Sequence, residues 1–93
     1  MTFAADANGV SATLAGSTVK LADHVASILV VDAQSGAPVP LGYGLDTTRD
    51  ADANGALTRV TVPTKGTKLP AQVRAYLMLD TFAVARGNVA PAP

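Results

Sequence analysis

The sequence predicts an all-β fold, a small antiparallel β-sandwich of six to seven strands, and three observations carry that expectation. All seven acidic residues are Asp and none is Glu; Asp favours turns and caps while Glu favours helix surfaces, so the skew disfavours helix. Short apolar runs alternate with Gly, Pro, Asn and Asp at a spacing of about ten residues, the rhythm of a sandwich. Residues 72–86, a stretch without Gly or Pro, read with a period of two.

A chain of 93 residues makes one small domain, residues 1–93, which buries only around 60–65 % of its unfolded surface. Cysteine is absent, so neither a disulfide nor a thiolate zinc site is available. Hydrophobic residues make up 48 % but aromatics only 4 %; a core of Ala, Val and Leu buries little area per side chain. With charged residues at 15 % and zero formal net charge, the chain has weak protection against self-association. The same neutral balance, with no cluster of Lys or Arg, offers no footprint for nucleic acid or an anionic membrane. No apolar run reaches the length of a membrane span. The first cationic side chain is Lys20, so the N-terminus lacks the basic region that opens a secretion signal; either the protein is made without one or the chain is the mature form, which leaves the compartment open with an extracellular surface or a virion favoured.

In order, residues 1–9 are small and polar apart from Phe3, and they read as a frayed leader by default or as an arm anchored by Phe3. Residues 10–14 alternate Val10, Ala12 and Leu14 against Ser11 and Thr13, and residues 17–22 alternate Val19 and Leu21 against Thr18 and Lys20, predicting two strands. Residues 25–32 end without a polar face, as expected of a strand central in a sheet or facing a partner. Gly42 and Gly44 around Tyr43 suggest a bulged or edge strand where another backbone approaches closely. Residues 46–55 read as a long polar loop. Residues 56–62 then alternate Thr58, Val60 and Val62 against Leu57, Arg59 and Thr61 until Pro63 stops them.

Within residues 72–86, Val73, Ala75, Leu77, Leu79, Ala83 and Ala85 fall on one face, and Arg74, Tyr76, Met78, Asp80, Phe82, Val84 and Arg86 on the other. The first is a core face. The second is too apolar for a solvated face, which predicts that a second layer or a neighbouring subunit covers it. A helix competes, because Ala75, Met78, Leu79 and Phe82 also fall at helical spacing; the β character of everything upstream favours strand. One continuous strand would span about 50 Å, so a bend or turn is expected near Asp80 and Thr81. Gly87 and Asn88 then turn the chain into an Ala/Pro-rich tail, residues 87–93.

Ile28-Leu29-Val30-Val31-Asp32, then Ser35-Gly36-Ala37-Pro38-Val39, then Asp52-Ala53-Asn54-Gly55 before Leu57 resembles the pattern of bacterial immunoglobulin-like and carboxypeptidase-regulatory-like (transthyretin-like) modules. There a strand ending in Asp leads into a Gly-x-Pro-Val turn, and a later Asp-x-Asn-Gly turn opens the next strand. The resemblance covers residues 28–63 and implies an immunoglobulin-like sandwich serving adhesion, stalk or assembly rather than catalysis.

Candidate chemistry is sparse. Asp50, Asp52 and Asn54 before Gly55 match the opening of a calcium loop, whose alternating oxygens surround the ion. Position twelve is Thr61 instead of Glu, so calcium is the weaker reading and a plain turn the stronger. A sole His, His24, cannot build a triad or a His-based metal site within one chain. Lys20, Asn88 and Asp32 supply the residue types of a Lys–Asn cross-link without its motif. No enzyme activity and no cofactor is expected. The sequence points to a non-catalytic structural subunit that self-associates into a filament, virion or other surface assembly, with Tyr76, Met78, Phe82, Val84 and Phe3 as its contacts. The alternative is a binding or adhesion module using residues 46–55, with calcium as its candidate ion.

Overall fold

The computed structural model describes residues 1–80 and 82–89. Seven strands, β1 (Thr2–Ala5), β2 (Gly9–Thr13), β3 (Ala26–Asp32), β4 (Thr48–Ala51), β5 (Leu57–Pro63), β6 (Val73–Leu79) and β7 (Phe82–Asn88), form two antiparallel sheets. One runs β1-β2-β5-β4 and the other β3-β6-β7. Val10 and Ala12 of β2, Val60 and Val62 of β5, Ile28 and Val30 of β3, and Ala75 and Leu77 of β6 are buried between the sheets. The expected all-β sandwich is what the chain forms.

The first residues are not a leader. Thr2–Ala5 pairs with β2, and Phe3, 5 % exposed, enters the chain's own core. The hairpin turn is held by the Asp6 carboxylate, which accepts the N–H groups of Asn8 at 2.7 Å and Gly9 at 3.1 Å. Such an Asx turn needs only a short acidic side chain placed before Asn-Gly. Phe3 therefore supports the monomer and is not a contact offered to a neighbour.

Residues 17–22 form no strand. Lys20 makes an isolated bridge to Ala56, and Leu21–Asp23 coils into a short 3-10 helix. Val19 and Leu21 still touch the core, so the alternation marked burial without a ladder. Likewise residues 41–45 give coil leading into a second 3-10 helix, Gly44–Asp46. The close approach expected there is real: Gly42 donates its N–H to the Pro63 carbonyl at 2.8 Å. The loop expected over residues 46–55 instead contains β4, the edge strand beside β5.

β3 is not central. It is an edge strand whose open side is covered by residues 37–43: Val39 donates to the Val30 carbonyl and Asp32 to that of Ala37, both at 2.9 Å. The Tyr43 hydroxyl donates to the Val39 carbonyl at 2.6 Å and accepts the Val30 N–H at 3.2 Å. Burial raises the Tyr43 pKa above its ordinary value, outweighing the hydrogen bond from Val30 that lowers it.

Two β-bulges overrule strict alternation. Asp50 pairs with Arg59 but Ala51 with Leu57, which leaves Thr58 unpaired, its hydroxyl on the Asp50 carbonyl at 3.2 Å. Leu57 thereby leaves the Arg59 face and is fully buried. In the other sheet Leu77 pairs with Ala85 but Met78 with Ala83. Val84 is the extra residue, so Ala85 stays against the core and Ala83 turns out to solvent. β7 runs on through Gly87 and Asn88, which are strand rather than turn; of the Ala/Pro tail, residues 90–93 lie outside the described residues, as does Thr81 at the expected turn.

The flanks differ. On one, the Arg49 guanidinium of β4 donates to the Ala26 carbonyl of β3, and to that of Thr47 at 3.3 Å. On the other, Phe3 of β1 packs against Gly87 of β7.

Candidate interaction surface

The outer face of the β3-β6-β7 sheet is where sequence and structure meet. Along β6, Arg74, Tyr76 and Met78 alternate outward and are half-buried. Cross-strand pairing sets Tyr76 between Leu29 and Arg86, and Met78 between Ser27 and Ala83. On β7, Val84 at the bulge is 53 % exposed; Phe82, 73 % exposed, pairs with Leu79, whose side chain packs on the core, so it stands at the sheet's edge on the face opposite to Met78. A shallow groove lined by Tyr76, Ala83, Val84, Ala85 and Arg86 runs along the strand. At the far end Gln72, Arg74 and Asn88 line a polar hollow of about 400 Å³.

Four of the five predicted contacts, Tyr76, Met78, Phe82 and Val84, thus share one sheet, and Phe3 does not join them. β7 is also an open edge: its outer N–H and C=O groups have no partner strand among the described residues, the arrangement through which edge strands recruit other chains. An apolar edge of this kind carries the surface chemistry of an interface core, aromatic and aliphatic groups with arginines beside them.

The calcium-loop residues serve the β4–β5 turn. Asp52 accepts the N–H groups of Asn54 at 2.8 Å and Ala56 at 3.0 Å. The Ala56 carbonyl accepts the Asp52 N–H at 2.9 Å, while Asp50 lies on β4 opposite Arg59. Lys20 places its ammonium on the Asn54 carbonyl at 2.9 Å. Among the described residues no three Asp or His side chains gather as a metal-ligand set. Lys20, Asp32 and Asn88 are held apart: Lys20 at the β4–β5 turn, Asp32 capping the N–H of Gln34 at 2.8 Å, and Asn88 across from Arg74. No described helix is long and apolar enough to cross a membrane.

The sequence did not show that His24 and Asp80 meet. Asp80 follows β6 with φ of 58°, a left-handed conformation that Asp tolerates better than most residues. Its carboxylate accepts from the Val25 N–H at 3.0 Å and lies 2.9 Å from His24 Nδ1. The His24 hydrogen bond, with that from Val25, lowers the Asp80 pKa. The ionised form is therefore favoured by folding, and this support is present above the ordinary carboxylate range and lost as pH falls towards the lowered value. Melting measured from about pH 6 to about pH 2 should accordingly fall less steeply for Asp80→Asn, whose amide keeps the turn, than for the wild type. Parallel pH profiles would detach Asp80 from acid stability.

Compared with protein families, with characterised proteins and with solved structures, the chain shows no significant match.

Proposed function

We propose that this chain is a non-catalytic structural subunit that self-associates through its β6–β7 surface, as a building block of a filament, virion or other surface assembly. One observation carries the reading: Phe82 and Val84 stand exposed on the open edge strand β7, and Val84 shares a groove with half-buried Tyr76. Water contact with two large apolar groups on a neutral, weakly charged chain is relieved when a second copy covers them. The strand order supports an immunoglobulin-like kinship, since β1-β2-β5-β4 against β3-β6-β7 corresponds to the A-B-E-D and C-F-G sheets of constant-type immunoglobulin domains. Such sandwiches bear their functions on edges and surfaces, and an extracellular or virion setting agrees with that use.

Light scattering across protein concentration tests the proposal. The wild type should grow in mass, and Phe82→Asp should weaken association by about thirtyfold, the equivalent of about 2 kcal/mol at a buried aromatic contact. Because Phe82 is exposed, melting of the variant should stay within about 0.5 kcal/mol of wild type. A wild-type mass that remains monomeric at every concentration would sink self-association.

A further inference from the structure

Arg49 is a half-buried cation whose charge the monomer does not neutralise. It stands on edge strand β4 but sends its guanidinium across to β3, where it donates to the Ala26 carbonyl, and to that of Thr47 at 3.3 Å. Two peptide carbonyls solvate a cation without cancelling its charge, and charges drawn out of water are ordinarily paired. Among the described residues no carboxylate comes within ion-pair distance of Arg49; the two ion pairs are Lys65 with Asp46 and His24 with Asp80. A guanidinium has five N–H groups, and the Nη2 of Arg49 donates to no described residue.

Beside Arg49 is a mostly apolar hollow of about 520 Å³, lined by Leu21, His24, Val25, Gly44 and Arg49 itself, a volume in the range of small-molecule sites. Val25 is 63 % exposed, a large aliphatic group in water next to a cation. The walls are fixed by contacts of their own. The His24 ring is tied through Nδ1 to the Asp80 carboxylate at 2.9 Å. Val25 donates its N–H to that carboxylate at 3.0 Å, and its carbonyl accepts the Asp80 N–H at 2.8 Å. Leu21 donates its N–H to the Gly55 carbonyl at 3.0 Å. Gly44 contributes bare backbone, with nothing within 4 Å of a would-be Cβ. Walls held in this way lose little freedom when a ligand enters, which favours binding.

We infer that this hollow binds a small aliphatic monocarboxylate, its carboxylate against Arg49 and its hydrocarbon chain against Leu21 and Val25. The carboxylate gives Arg49 a counter-charge and accepts from Nη2, the charge-assisted bond for which a guanidinium is suited. The chain takes Val25 out of water. Asp80 cannot fill the first role, because its carboxylate is already held by His24 and Val25. Neither half of the ligand suffices: a bare anion leaves Val25 in water, and an uncharged chain leaves Arg49 without a counter-charge. The hollow sits where β4 reaches β3, whereas self-association was assigned to the β6–β7 surface, so either property can hold without the other.

Titration of the full chain with sodium hexanoate, hexanol and sodium acetate, followed by nitrogen–proton correlation NMR, tests the site. Hexanoate should move the amides of Val25, Ala26 and Gly44 saturably, with a dissociation constant of about 1 mM. Hexanol and acetate should each bind at least about tenfold more weakly. Arg49→Gln should weaken hexanoate binding at least about tenfold, with circular dichroism as the check on folding, since Arg49 also joins β4 to β3. Val25→Asp, at an exposed position, sets a like charge on the wall and should weaken binding as much; it gives the answer if Arg49→Gln fails to fold. The site is overturned if hexanoate produces no saturable shift, if hexanol or acetate binds as tightly as hexanoate, or if either folded variant keeps wild-type affinity. Any of these results leaves self-association standing, because light scattering reads that separately.

Discussion

Replacing Phe3 with alanine should cost about 3–5 kcal/mol and lower the melting temperature by roughly 15–30 °C. Phe3 is 5 % exposed and is the one core aromatic ring contributed by β1, a strand of four residues paired on one side only. Without the ring, β1 retains its ladder with β2 and the Asp6 turn, but it loses its contact with Gly87 on β7. The two sheets then come apart at one flank, and a cavity the size of a phenyl group opens beside Val10 and Ala12. Small domains have little stability in reserve, so such a loss takes a large share of it. Urea titration gives the measurement; a change below about 1 kcal/mol would mean that residues 1–9 behave as a dispensable arm despite their burial. Phe3→Leu, which keeps most of the volume, should recover more than half of the loss.

Legibility of the fold followed how local its causes are. The strands β2, β3, β5, β6 and β7 announce themselves because the alternation of apolar and polar groups is written in consecutive residues. β1 and β4 do not, for two different reasons. Thr2–Ala5 has one large side chain, so its period could not be read, and its place depends on the Asp6 turn and on the distant Gly87. Thr48–Ala51 is polar and mostly exposed; its anchor is Arg49, which reaches β3 in the other sheet. The bulges were equally hidden. Leu57 alternates with Arg59 and Thr61 in sequence, and only the extra residue Thr58 turns it to the core.

The candidate surface was legible to the extent that it is a strand property. Tyr76, Met78, Phe82 and Val84 formed an apolar outer set by period alone, and they remain on one sheet; but the bulge at Val84 puts Ala83 opposite Met78 and Phe82 opposite core-facing Leu79, so Phe82 leaves the face of Tyr76 and Met78. What sequence could not supply is the pairing of charges between residues far apart in the chain. That His24 answers Asp80, and that Asp50 is not answered by Arg59, are consequences of which strands become neighbours.

Gly9→Ala should be as damaging as the loss of Phe3, by the opposite route, costing about 3 kcal/mol through crowding rather than a void. Gly9 opens β2 directly across from Pro63 of β5. A Cβ there would fall on the Val62 carbonyl oxygen, 2.9 Å from its carbon and 3.0 Å from the Pro63 Cα. All three are backbone atoms, so no rotamer relieves the overlap, and β2 and β5 must separate where the β1-β2-β5-β4 sheet is held at its centre. Pro63 cannot retreat either, because its other side meets Gly42, where a Cβ would lie 2.6 Å from the ring Cγ. One proline is thus gripped between two glycines, and neither has a positive φ; space, not conformational freedom, is what each supplies. Gly16→Ala separates the two causes. Gly16 has φ of 64° with nothing within 4 Å of its would-be Cβ, so its replacement should cost only the left-handed penalty of about 1 kcal/mol. Equal losses at Gly9 and Gly16 by urea titration would mean that β2 and β5 yield easily, and the close grip on Pro63 would not be what fixes their register.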